Sequence, residues 1–136
     1  MKYTRLLMTL SALVLAALGL PCIFAPEIVL QRLAGSSTVG AQLIVQITGA
    51  LYLGFAALNW MGKGNLIGGI YGRPVAIGNL LHFLVAAIAI FKAAQVTGVR
   101  FLWPIAVGYA GFALGFALIV FRNPLRASED RPADGR

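Results

Sequence analysis

Acidic side chains are scarce in this chain of 136 residues: four Asp and Glu stand against eleven Lys and Arg, with one histidine and one cysteine. Each shortage excludes a class of chemistry. Helical di-iron and zinc sites need several carboxylates or histidines projecting inward from facing helices, and no carboxylate lies in an apolar run. A single thiol, Cys22, forms neither an internal disulfide nor a Cys-based zinc site; inside its apolar run it reads as a small core hydrophobe. Charge of either sign is also rare. Only 11% of residues are charged and 60% are hydrophobic, where a soluble domain carries roughly 25% charged residues. A globule this small has too little interior to hide that much apolar surface, so the sequence points to lipid as the solvent for most of the chain.

The formal net charge of +7 is spread thinly between apolar runs. A nucleic-acid surface needs clustered bases, so no nucleic-acid partner is expected. The scatter matches the cationic bias of loops that flank a membrane.

Four charge-free stretches stand out, Leu6–Phe24, Val39–Trp60, Val75–Phe91 and Phe101–Phe121, of 19, 22, 17 and 21 residues. About 20 residues cross a hydrocarbon core of about 30 Å. The third extends past Lys92 to Thr97, with the lysine snorkelling to the interface. The expected fold is therefore an all-α integral membrane protein, a four-transmembrane-helix bundle over residues 1–122 with spans near 6–24, 39–60, 75–97 and 101–121. Lys2, Arg5 and the first run also resemble a secretory signal, but the run exceeds a 7–15-residue signal core, proline would follow a cut after "IFA", and "GLPC" is a poor lipobox. An uncleaved first helix is expected.

Between the first two spans, "APEIVLQRLAGSST" interleaves Ile28, Val29, Leu30 and Leu33 with Glu27 and Arg32, predicting a short interfacial helix from Pro26. The tail 123–136, "NPLRASEDRPADGR", is polar and of mixed charge and reads as disordered. With the N-terminus inside, eight cations face the cytoplasm (Lys2, Arg5, Lys63, Arg73, Arg122, Arg126, Arg131, Arg136) and three the other side (Arg32, Lys92, Arg100). The bias predicts a bacterial inner-membrane protein with both termini cytoplasmic.

The stretch "GKGNLIGGIYG" invites a phosphate-loop reading. It lacks the G-x-x-x-x-G-K-[ST] spacing, a hydroxyl after the lysine and a preceding strand. A cytoplasmic turn over Met61–Arg73, with Pro74 opening the third long helix, fits better, its glycines supplying turn conformations.

Polar side chains inside apolar spans are costly and are candidate functional groups. Gln42, Gln46 and Thr48 fall in the second span, Asn79 and His82 in the third, and Gln42, Gln46, Asn79 and His82 form the candidate intramembrane cluster. Small residues recur on helical stripes: Ala12, Ala16 and Gly19; Gly49; Gly108, Gly111 and Gly115. Such stripes let membrane helices approach closely. Structural hydrogen bonding is the leading reading of His82 and contact with a quinone or lipid the next. Haem ligation through His82 requires a second ligand from elsewhere, so no cofactor or metal is expected. Small multidrug transporters also have four helices but rely on a buried glutamate, and the nearest acid here is Glu27 beside Pro26.

The first helix, the segment "PEIVLQRL" and the run "QITGALYLGFAALNW" resemble the small bacterial four-helix membrane proteins of the DoxX-like kind. That resemblance implies a fold and a place as subunit or helper of a larger membrane complex, and no functional motif comes with it. The expected function is non-catalytic: an accessory or assembly subunit contacting membrane lipids and a protein partner or a second copy. The alternatives are a carrier of a small amphipathic ligand between the second and third spans, and, more weakly, a small transporter.

Overall fold

A computed structural model describes residues 2–64 and 72–122, and among them the regular elements are all helices. In chain order these are α1 (Lys2–Phe24), α2 (Pro26–Ala34), α3 (Val39–Gly62), α4 (Gly72–Thr97) and α5 (Leu102–Arg122). Helices α1, α3, α4 and α5 are each long and apolar enough to cross a membrane. Their 23, 24, 26 and 21 residues rise through about 32–39 Å at 1.5 Å per residue.

The helices overrun the charge-free windows because a charged side chain ends an apolar run without breaking the backbone ladder. Helix α1 already includes Lys2 and Arg5. Helix α4 starts at Gly72, two residues before Pro74, which corrects the expected opening at the proline. Pro74 and Pro104 both lie in first turns, where the missing N–H has no intrahelical partner to lose. The expected turn over Met61–Arg73 shrinks accordingly: Met61 and Gly62 belong to α3, Gly72 and Arg73 to α4, and 65–71 lie outside the described residues. The tail 123–136 lies outside them too.

The short helix expected from Pro26 is present. Pro26 occupies its first turn with Glu27, and Arg32 its last, each charge complementing the helix dipole. Gly35 ends it at φ +67°, its N–H donating to the Gln31 carbonyl at 3.1 Å. That left-handed backbone is the reason a glycine stands there.

The described residues divide into two compact units, 2–64 with 97–100, and 72–96 with 101–122. In the first, α1 and α3 run antiparallel. Gly19 meets Gly49 and Gly62 meets Met8, Gln46 reaches the Ile23 carbonyl, and Asn59 reaches Ser11. One helix counts up as the other counts down from residue 8 to residue 23, about 22 Å of continuous contact. Met8, Ser11, Ala12, Leu15 and Gly19 form the buried stripe of α1, and Gly49, Ala56 and Asn59 that of α3. The closest approach is at the glycines: a Cβ on Gly49 would lie 2.8 Å from the Cys22 Cβ, the Gly19 carbonyl oxygen and Ile23 Cγ1. Only a residue without a Cβ permits that crossing.

In the second unit α4 and α5 are antiparallel and joined by aromatic rings. Phe83 sits 5.2 Å from Tyr109, 4.9 Å from Phe112 and 5.7 Å from Phe116, centroid to centroid. Nearer the connection between the two helices, Phe91 and Trp103 meet edge to face at 5.3 Å. Gly98, at φ +69°, follows the last residue of α4.

Candidate functional site

The polar side chains of the first unit serve helix ends and one helix pair. Thr38 caps α3, its hydroxyl accepting from the Ala41 N–H at 3.3 Å, and Gln42 Nε2 donates to Ser37 Oγ at 2.8 Å. Gln42 thus ties the first turn of α3 to the residues just before it. Gln46 Nε2 lies 3.5 Å from the Ile23 carbonyl, one of the last-turn oxygens of α1 that have no intrahelical donor. The Thr48 hydroxyl donates back to the Ile44 carbonyl at 2.9 Å. These geometries give Gln42, Gln46 and Thr48 local tasks.

Sequence reasoning missed the most buried polar pair. Ser11 and Asn59 are both 0% exposed. Asn59 Nδ2 donates to Ser11 Oγ at 2.9 Å, and Ser11 Oγ donates in turn to the Met8 carbonyl at 3.0 Å. A signal for it was available. Pairing the small residues Gly19 and Gly49 fixes an antiparallel register, and that register brings Ser11 level with Asn59 between two and three turns away.

Asn79 and His82 belong to the second unit, whereas Gln46 belongs to the first. Asn79 is fully buried, and its Nδ2 donates to the Val75 carbonyl one turn back at 2.9 Å. The His82 ring stands edge to face with Phe83 at 5.2 Å and 6.0 Å from Tyr109. The imidazole therefore borders an aromatic cluster of Phe83, Tyr109, Phe112 and Phe116, in which Phe83 meets Tyr109 edge to face and stacks on Phe116, both favoured ring geometries. Among the described residues there is no group of three or more His, Cys, Asp or Glu that could hold a metal ion.

The small-residue faces divide sharply. Gly49 lies in the tightest crossing, while a Cβ added at Gly108 or Gly111 would meet nothing within 4 Å among the described residues. Within the second unit, Gly108 and Gly111 thus make no close helix approach. With Gly115 they share one face of α5, and Gly108 and Gly111 are exposed.

An apolar groove of about 760 Å³ runs along the α4–α5 pair, lined from Leu80 to Phe91 on one wall and from Trp103 to Phe121 on the other. Neither Asn79 nor His82 contributes to it. Its Ala106, Ala110, Ala113 and Ala117 form a floor of small side chains between Leu, Ile and aromatic flanks. At the end of α3, Lys63 Nζ sits 2.9 Å over the Trp60 ring, a cation–π pair suited to a polar–apolar boundary.

No family model matches the chain, and neither the curated proteins nor the solved structures contain a match to it.

Proposed function

We propose that this chain is a multi-pass integral membrane protein of a bacterial inner membrane, both termini cytoplasmic, that acts without catalysis as an accessory or assembly subunit of a membrane complex. The observation that carries the reading is where the polar side chains go. Gln42, Gln46, Asn59 and Asn79 each donate a hydrogen bond within their own helix pair or helix end. Such groups build a scaffold, whereas acid–base catalysis requires a positioned proton donor or acceptor beside a substrate. The outward glycines of α5 support a partner in lipid, because small residues allow the close backbone approach on which membrane helices associate. The likeness of the α1–α3 region to DoxX-like proteins favours the same role.

Native mass spectrometry of the tagged chain from mild detergent tests this. A stoichiometric second protein, or a second copy, that is lost on Gly111→Leu and kept on Gly54→Leu supports the subunit reading. Turnover by the purified chain that disappears on His82→Ala overturns it.

A second reading has its own observation: His82 borders the aromatic cluster, a setting that suits the ring of a quinone or another amphipathic ligand. Partner-free chain that retains such a molecule, and loses it on His82→Gln, would favour this carrier role. A transporter role has less support, since Glu27, in the first turn of α2, is the one carboxylate among the described residues.

A further inference from the structure

The groove along α4 and α5 is apolar throughout, and the charge beside it decides what it holds. Its walls run from Trp103 to Phe121 and from Phe91 to Leu80, about 27 Å along α5. Phe91 and Trp103, in edge-to-face contact, close one end, and tryptophan favours the headgroup level of a bilayer. Lys92 follows Phe91 directly. It stands one turn beyond Ile88, a lining residue, so the two are neighbours on the helix surface. Lys92 is exposed, five residues inside the end of α4. Glu27, in the other unit, is the one carboxylate among the described residues. A cation on an otherwise apolar span is costly without a counter-charge.

We propose that the groove binds an anionic phospholipid, one acyl chain lying along the alanine floor and the phosphate on Lys92. The proposal rests on the membrane reading above. The groove volume falls within the roughly 300–1,000 Å³ of small-molecule sites, and an apolar channel with a cation at the aromatic end complements a molecule with an anionic head and a long tail. This face is distinct from the glycine face of α5: Ala110, Leu114 and Phe121 point about 110° away from Gly108, Gly111 and Gly115 at 100° per residue. A bound lipid and a helical partner therefore use different sides of α5.

The test uses the full chain in nanodiscs holding phosphatidylglycerol and phosphatidylcholine with identical tails, followed by native mass spectrometry of the lipids retained. The wild type should retain phosphatidylglycerol over phosphatidylcholine by about fivefold, the factor expected from one cation at an anionic surface. Lys92→Gln should bring that ratio to one, and Arg32→Gln, in the other unit, should leave it unchanged. Val107→Trp and Ala110→Phe, at exposed lining positions, fill the groove with bulk and should lower retention of both lipids, with circular dichroism confirming folded helices. Equal retention of the two lipids by the wild type overturns the proposal. So does a ratio indifferent to Lys92→Gln, or a dimer of this chain that Val107→Trp dissociates. Release of the chain by alkaline carbonate would instead sink the membrane reading itself; carbonate-resistant chain without lipid preference sinks the groove proposal alone.

Discussion

Asn59 and Ser11 concentrate the polar stakes of the first unit in one hydrogen bond. An interhelical hydrogen bond in a membrane protein contributes about 0.6 kcal/mol on average, yet a buried amide stripped of a partner costs about 1–3 kcal/mol. Ser11→Ala should therefore destabilise the folded chain by about 1 kcal/mol and Asn59→Ala by more. A double-mutant cycle read by unfolding in mixed micelles should return a coupling of about 0.6 kcal/mol; additive effects would mean the contact is idle. His82 packs its ring against Phe83 and Tyr109, and glutamine keeps a polar side chain at that place. His82→Gln should leave helicity and melting nearly unchanged. A folded variant that has lost its cellular phenotype would point to the ligand-binding role. Gln42 and Gln46 were singled out from sequence as polar residues in an apolar span, but their destinations were not legible: Ser37 becomes a partner through the local turn into α3, and the Ile23 carbonyl only when α1 meets α3.

Glycine position separates the helices from one another. On α3, Gly49 and Gly54 look alike in the sequence "QITGALYLGFAALNW". Gly49 faces α1 with three atoms 2.8 Å from where its Cβ would be, one of them a backbone oxygen that cannot rotate away, while nothing lies within 4 Å of a Cβ on Gly54. Gly49→Ala should cost about 1–3 kcal/mol, as overpacked interiors do. Gly54→Ala should stabilise by up to about 1 kcal/mol, because glycine is a poor helix former. Thermal melts of the two variants in the same detergent check both; equal melts would mean that the α1–α3 crossing is looser than its geometry. Gly108 and Gly111 behave like Gly54 in the isolated chain. Their substitution should harm only a complex, and that difference separates a packing glycine from a docking glycine.

For the molecule as a whole, the eight-to-three division of cations makes a directional statement. A fluorescent reporter that matures only in the cytoplasm should be bright when fused after Arg136, and alkaline phosphatase inserted after Ser36 should be active. The reverse pattern would sink the proposed orientation. The physical basis is the cost of moving Lys and Arg across the membrane during insertion, which holds basic segments on the cytoplasmic side.

Element existence was legible in the sequence because apolar length is a local property. Charges bounded the runs that became α1, α3, α4 and α5, and Pro26 marked the start of α2. Helix ends were less so, since Lys2, Arg5 and Arg73 end an apolar window while the backbone ladder continues through them. What only tertiary structure decided was which face of each helix meets a neighbour. The stripe of Gly108, Gly111 and Gly115 and that of Ala12, Ala16 and Gly19 both read as small-residue faces, yet the close approach is made where Gly19 meets Gly49. The Ser11–Asn59 pair and the α4–α5 groove depend likewise on register between segments up to 48 residues apart. In a chain where nearly every helix face is apolar, hydrophobic periodicity no longer marks the inside. Shape and hydrogen bonding choose the contacts, and both exist only once the helices are side by side.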